Sequence, residues 1–296
     1  MTTEEITHIE HNYATINGIR MHYAEAGSGE LVILLHGFPD CWYTWRHQIN
    51  ALSKKYHVVV PDMRGYNETD NTGPFGIETL REDVIQLINH LGSKQAHIIG
   101  HDWGGAIAWS LAISHPKVVQ TLGICNIPHP ANFFKGLRTF AQLKRSWYIF
   151  FFQIPFLPEK FLARNNYHGF ARSMYRIGPN TDEDIKFYVN SWRKYGLSGG
   201  INWYRAMGKN VFFEAIKGMI KLRPPTTEKM NRSMQVAART TMIWGEKDFA
   251  LGKELTFDTD QYVPDLTISY LPNVGHFVQQ EAPEKVNELL LEHLAK

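Results

Sequence analysis

Apolar residues follow two rhythms along this chain. Leu31-Val-Ile-Leu-Leu35, His57-Val-Val-Val-Pro61 and His97-Ile-Ile-Gly100 are short runs, apolar at nearly every position. Such runs fit strands covered on both faces, as in a parallel sheet, better than alternating strands with one wet face. Between them, Glu78 to Leu91 sets Leu80, Val84, Ile85, Leu87, Ile88 and Leu91 on one helical stripe. Tyr13-Ala-Thr-Ile16 and Arg20-Met-His-Tyr23 flank Asn17-Gly18, a hairpin signal. Strand-like runs return at Arg239 to Trp244 and Leu266 to Tyr270, and a helix is predicted from about Pro283 to Leu294. The alternation predicts an α/β fold with a mostly parallel, doubly wound sheet.

The middle, about Asn132 to Ser233, breaks this alternation. It has no convincing apolar strand, is rich in aromatics and shows helical spacing, as in Asp182 to Trp192 with Thr181 and Asp184 at its start. The segment reads as a helical insertion. The predicted division is residues 1–131 for the first part of the core, 132–233 for a helical cap and 234–296 for the second part of the core.

Composition narrows the function. The 31 basic and 29 acidic residues leave a net charge of +2 with no basic block, which speaks against nucleic-acid binding. Two cysteines, Cys41 and Cys125, cannot build a disulfide framework or a multi-cysteine zinc site, and no HExxH-like metal spacing occurs. No apolar run reaches the roughly 18 residues of a membrane span. Met1 to Asn12 is polar and acidic, unlike a secretory leader. A cytoplasmic protein without cofactor, metal or membrane span is expected, with a homodimer as the assembly to look for.

Candidate chemistry gathers at the carboxyl ends of the predicted strands, where open α/β sheets place ligands. Gly100-His-Asp-Trp-Gly104 follows one strand and precedes the small, apolar helical run Gly105 to Ile113. Strand, sharp turn and helix make the setting of a nucleophile elbow, here presenting Asp102 instead of a serine. A carboxylate can displace at saturated carbon to form an ester without first being deprotonated by a base. An aspartate that merely caps the helix is the plain alternative. The backbone N–H groups of Phe38, in Leu35-His-Gly-Phe-Pro39, and of Trp103 can stabilise an oxyanion. Asp248, in Gly245-Glu-Lys-Asp248, and His276, in Val274-Gly-His276, follow late strands. The chain order nucleophile, acid, histidine makes His276 the general base and Asp248 its orienting partner. Gly196-Leu-Ser-Gly-Gly200 matches the serine elbow pattern, but follows a helical stretch within the insertion and reads as an interhelix loop. Gly27-Ser-Gly29 reads as a turn.

With these segments in view, the chain resembles the α/β-hydrolase superfamily along nearly its whole length. His36-Gly-Phe-Pro39, Arg64-Gly-Tyr66, Gly100-His-Asp-Trp-Gly104 and Asn126-Ile-Pro-His-Pro130 are similar to segments of soluble epoxide hydrolases. The resemblance implies two cap tyrosines that hold the epoxide oxygen: Tyr148, within Trp147 to Pro155, and Tyr204, within Ile201 to Met207. It implies substrate contacts from Trp103, Phe38 and Pro39, an epoxide and water as reactants, and a diol product. Haloalkane and fluoroacetate dehalogenases also use an elbow aspartate and supply the alternative. Their second halide donor, usually Trp or Asn, is Phe38 in this chain, and the arginines of the fluoroacetate enzymes are replaced by Trp103, Gly104, Gly105 and Ala106. Some relatives carry the orienting acid near Cys125-Asn126; no carboxylate stands there, so the role falls to Asp248. The aromatics Phe133, Phe134, Trp147, Phe150, Phe151, Phe152, Trp203, Phe212 and Phe213 are expected to divide between the cap's own core and an apolar pocket for an aryl or alkyl epoxide.

Overall fold

The computed structural model describes residues 8–175, 180–219 and 233–296. Its sheet has the order β1-β2-β4-β3-β5-β6-β7-β8. β1 (Glu10–Ile16) and β2 (Ile19–Ala26) form the antiparallel hairpin, turning through Asn17 and Gly18, both at positive φ. β2 pairs antiparallel with β4 (His57–Pro61). β4, β3 (Leu31–Leu35), β5 (Ala96–His101), β6 (Val119–Cys125), β7 (Thr240–Gly245) and β8 (Leu266–Leu271) then run parallel.

The all-apolar runs are explained by two separate cores. Ile33 and Leu35 of β3 join one cluster with Leu80, Leu87 and Trp109, while Val32 and Leu34 join another with Trp45, Ile49, Val286 and Leu290. Alternate side chains of one strand thus feed opposite faces, and each face is roofed by helices. Two of these roofing helices match the predicted spans to within a residue: α2 (Ile77–His90) and α12 (Pro283–Leu294). The strand β6 was not singled out by the pattern, although all but one of its seven residues are buried.

Between β6 and β7 the described residues are helical or looped: α4 (Pro130–Gly136), α5 (Phe140–Arg145), α6 (Trp147–Phe151), α7 (Leu157–Leu162), α8 (His168–Tyr175), α9 (Asp182–Tyr195) and α10 (Ser198–Met219). Part of the 132–233 stretch, namely 176–179 and 220–232, lies outside the described residues, as does most of Met1 to Asn12. Thr181 opens α9 as a reciprocal cap with Asp184, their side chains bonding each other's main-chain N–H groups at 3.2 and 2.7 Å.

The serine-elbow look-alike is corrected in one respect. Only Gly196 and Leu197 form a loop; Ser198, Gly199 and Gly200 open α10. A Cβ at Gly199 would lie 2.0 Å from the Gly65 carbonyl, and one at Gly200 would lie 2.5 Å from the Tyr66 hydroxyl. The glycines serve close docking of α10 on the core, and the Ser198 hydroxyl accepts a bond from Asn71 at 2.9 Å. Polar tips of cap aromatics complete the seam. Trp203 donates to the Arg64 carbonyl at 3.0 Å, Trp192 to the Pro39 carbonyl at 3.0 Å and Tyr188 to Gln280 at 3.1 Å.

Candidate active site

Asp102 ends β5 and precedes α3 (Trp103–Ser114) at φ 50°, ψ −122°. This is a sparsely populated conformation for a residue with a side chain, and it projects the carboxylate out of the turn. One carboxylate oxygen accepts the Phe38 N–H at 2.9 Å. Gly37 lies so near that a Cβ there would sit 2.4 Å from the same oxygen. The other oxygen faces His276 Nε2 at 3.7 Å. His276 Nδ1 donates to Asp248 at 2.7 Å. Asp248 also accepts N–H bonds from Ala250 and Leu251 at 2.7 and 2.9 Å. The three side chains named from sequence therefore meet, from the ends of β5 and the loops after β7 and β8, and all three residues are buried.

Their charges reinforce one another. Burial works against ionisation of Asp102, yet the bonding and charge of His276, with smaller help from His101 and the Phe38 N–H, leave its carboxyl below the usual range. Burial likewise disfavours the imidazolium of His276, but Asp248 and Asp102 together hold its pKa well above the ordinary imidazole value. Asp102 thus favours its carboxylate form and His276 its imidazolium form.

Tyr148, from α6, and Tyr204, from α10, stand over Asp102 with ring centroids 5.8 Å apart. Tyr204 packs edge-on against Trp103 and Phe38, at 5.1 and 5.5 Å. The Gln153 side-chain amide ties the two helices, donating to the main-chain carbonyls of Ile149 and Tyr204 at 3.0 Å each. Burial first, and the Asp102 charge second, raise both phenols well above the usual tyrosine range, so they remain protonated donors.

Asp102 and the two tyrosines line both branches of a cavity. The smaller branch, 390 Å³, passes Trp103, Phe133, Phe134 and Trp203. The larger, 740 Å³, passes Phe38, Trp147, Phe151, Phe152 and His276. The aromatic residues divide unevenly between pocket and core. Phe150 lines neither branch, and Phe212 and Phe213 are 57% and 60% exposed, so those two belong neither to a core nor to the pocket. Pro39 is a second correction. It lines neither branch; the Phe38–Pro39 peptide is cis, and the Pro39 carbonyl accepts the Trp192 side-chain N–H.

Three contributors were missed in the sequence. Asn126 stands at φ 45° after β6, donates to Asp248 at 2.7 Å and accepts the Gly245 N–H at 2.9 Å. This position lacks the carboxylate that some relatives carry there, and it supplies an amide that bonds Asp248 instead. Asp40 and His101 form a buried pair behind the triad, 4.0 Å apart. Burial lifts Asp40 to about 7 and lowers His101 to about 3. Asp40 accepts from Tyr175 and, at 2.9 Å, from Thr44, while His101 Nε2 meets the His276 carbonyl at 2.9 Å. The visible signal was a carboxylate directly after His36-Gly-Phe-Pro39. Among the described residues no cluster could hold a metal ion, and no helix is long and apolar enough to cross a membrane.

Comparison with known proteins agrees with this fold. Residues 30–283 match the family described as alpha/beta hydrolase fold. The AB hydrolase superfamily protein YfhM of Bacillus subtilis is 36% identical over 95% of this chain and 96% of its own length. Epoxide hydrolase 4 of Homo sapiens is 36% identical over 95% of this chain and 77% of its own length. Among solved structures, an epoxide hydrolase from Bacillus megaterium superposes with a TM-score of 0.85 at 32% identity, covering 96% of this chain and all of that one. An epoxide hydrolase from Vigna radiata gives 0.80 at 30% identity, covering 97% and 98%.

Proposed function

The chain belongs to the α/β-hydrolase fold family, in its epoxide hydrolase branch, and we propose that it opens apolar aryl or alkyl epoxides to vicinal diols through an ester on Asp102. The observation that carries this reading is one carboxylate held between the Phe38 N–H and His276, facing a cavity roofed by Tyr148 and Tyr204.

An Asp102 oxygen attacks the less hindered oxirane carbon as its C–O bond breaks. Both the Tyr148 and Tyr204 hydroxyls bond the departing oxygen and one of them gives it a proton, leaving a phenolate and a hydroxyalkyl ester on Asp102. Ester formation removes the charge of Asp102, one of the two carboxylates that hold the His276 proton. The imidazole pKa falls at this point, His276 yields its proton to the phenolate by way of solvent, and both the phenol and a neutral, basic imidazole are restored. It then takes a proton from water, whose oxygen attacks the ester carbonyl. The Phe38 and Trp103 N–H groups receive the tetrahedral oxyanion. The tetrahedral species collapses, the leaving alkoxide takes the proton of the new carboxyl group and departs as the diol, and Asp102 returns as a carboxylate that keeps the water oxygen, beside reprotonated His276. No cofactor enters any of these steps.

Single turnover in heavy-oxygen water tests the ester. The label is expected in Asp102, and a label entering the diol directly in the first turnover overturns the mechanism. A panel of styrene-oxide-like epoxides and haloalkanes, with diol and halide both quantified, tests the substrate class; halide release in preference to diol would favour displacement of halogen on the same aspartate.

A further inference from the structure

The smaller cavity branch ends in a different chemistry from the larger. It leaves Asp102 along one face of α3, past Trp103, Ala106 and Ser110, between apolar walls such as Ile127 and Phe133. At a rise of about 1.5 Å per residue, Ser110 lies about 10 Å beyond Trp103. Arg81 of α2 lines the branch at that depth and donates to the Ser110 hydroxyl at 3.1 Å. Arg81 is half-buried and, among the described residues, has no carboxylate at ion-pair distance. Arg46, Arg64, Arg138 and Arg205 are matched by Asp184, Asp83, Glu214 and Glu159, whereas half-buried Arg239 has no carboxylate at ion-pair distance among the described residues and lines neither branch. Glu78 also borders the branch, but it is exposed and forms no ion pair with Arg81.

A guanidinium drawn partly out of water favours an anionic partner, and its planar fork suits a carboxylate. We propose that Arg81, steadied by Ser110, anchors a carboxylate at the end of an apolar substrate arm. The favoured epoxides are then amphipathic, with the oxirane at Asp102 and the acid about 10 Å away along α3. This inference rests on the epoxide-opening reading of Asp102 and extends it to a substrate class. Lys144 and Arg145 border the larger branch as rival cations, of which Arg145 is already paired with Glu254 at 2.8 Å.

The test compares kcat/KM for terminal epoxydecanoic acid and its methyl ester in the unaltered protein, Arg81→Gln, Arg81→Lys and Lys144→Gln. The unaltered protein should prefer the acid by about tenfold or more, the scale of a hydrogen bond to a charged group. Arg81→Gln should bring the ratio close to one through a raised KM for the acid, Arg81→Lys should restore part of it, and Lys144→Gln should leave it intact. A preference that survives Arg81→Gln, or that falls only in Lys144→Gln, overturns the anchor. Calorimetric binding of decanoate, which has no oxirane, separates anchor from chemistry. Arg81-dependent decanoate binding without diol from any epoxide would support the anchor and refute the ester mechanism. Diol from neutral epoxides with decanoate binding indifferent to Arg81→Gln would do the reverse.

Discussion

The two halves of the site are held in different ways. The core half rests on strand ends and a directed hydrogen-bond chain, from the Ala250 and Leu251 amides and Asn126 through Asp248 to His276, whose Nε2 faces Asp102. The cap half, Tyr148 and Tyr204, rests on ring-to-ring packing and one bridging amide from Gln153. The first arrangement sets bond angles; the second sets only distances. In the proposed mechanism, the steps that make and break covalent bonds to carbon fall to the first, and proton donation, which tolerates looser geometry, falls to the second.

Substitutions can break this contrast in a graded order. Asp102→Ala should remove diol formation by on the order of a millionfold, the scale on which an assembled nucleophile is lost; turnover left intact would end the account. His276→Gln should slow turnover by roughly a thousandfold or more while sparing the first step. Intact-protein mass should then rise by the mass of the epoxide, and an unmodified protein would count against the assignment. Tyr148→Phe and Tyr204→Phe should each cost about a hundredfold in ester formation, and the double variant far more, measured in a pre-steady-state burst. Equal silence of both single variants would mean that the cap half takes no part in the chemistry.

The pH response sharpens the same contrast. Asp102 is ionised down to below the ordinary carboxylate range, so ester formation should hold its rate across weakly acidic solution. Ester hydrolysis needs neutral His276 and should quicken as pH rises through the lowered imidazole pKa of the ester form. A burst that grows in amplitude toward acid is the expected record. On the structural side, Asn126→Ala should cost about 1–3 kcal/mol of stability in denaturant titration, because the buried Gly245 N–H loses its acceptor. The effect at Asp40 shows in the pH dependence of stability alone. Its pKa is raised from 3.8 to about 7 by burial, so the folded state binds its proton more tightly than the unfolded state. Its contribution to stability therefore declines as pH rises between those values. Asp40→Asn should flatten that part of the melting-temperature profile.

How far the sequence could be read follows the same division. Asp102, Asp248 and His276 were legible because each sits just beyond a strand whose apolar run announces it. Tyr148 and Tyr204 could not be chosen from 13 tyrosines by pattern alone, since nothing local separates a phenol over a nucleophile from one in a seam; their flanking resemblance singled them out. Asn126 and His101 escaped because their significance lies in partners 122 and 175 residues away in the chain. Phe212 and Phe213 misled for the opposite reason: their composition suggested burial, and they face outward.

The contact between Gly199 and Gly65 has a mechanical consequence. Backbone meets backbone there with no room for a methyl group, so the first turn of α10 acts as a fulcrum. Tyr204 sits five residues from that pivot, about 7 Å along the helix axis, on a short lever arm. Tyr148 rides on a helix of five residues that is held to α10 by the Gln153 amide. The two phenols are thus unequal instruments. In the proposed mechanism the oxirane is registered mainly against Tyr204, whose helix is pinned to the core, and Tyr148 takes its position from that helix through Gln153.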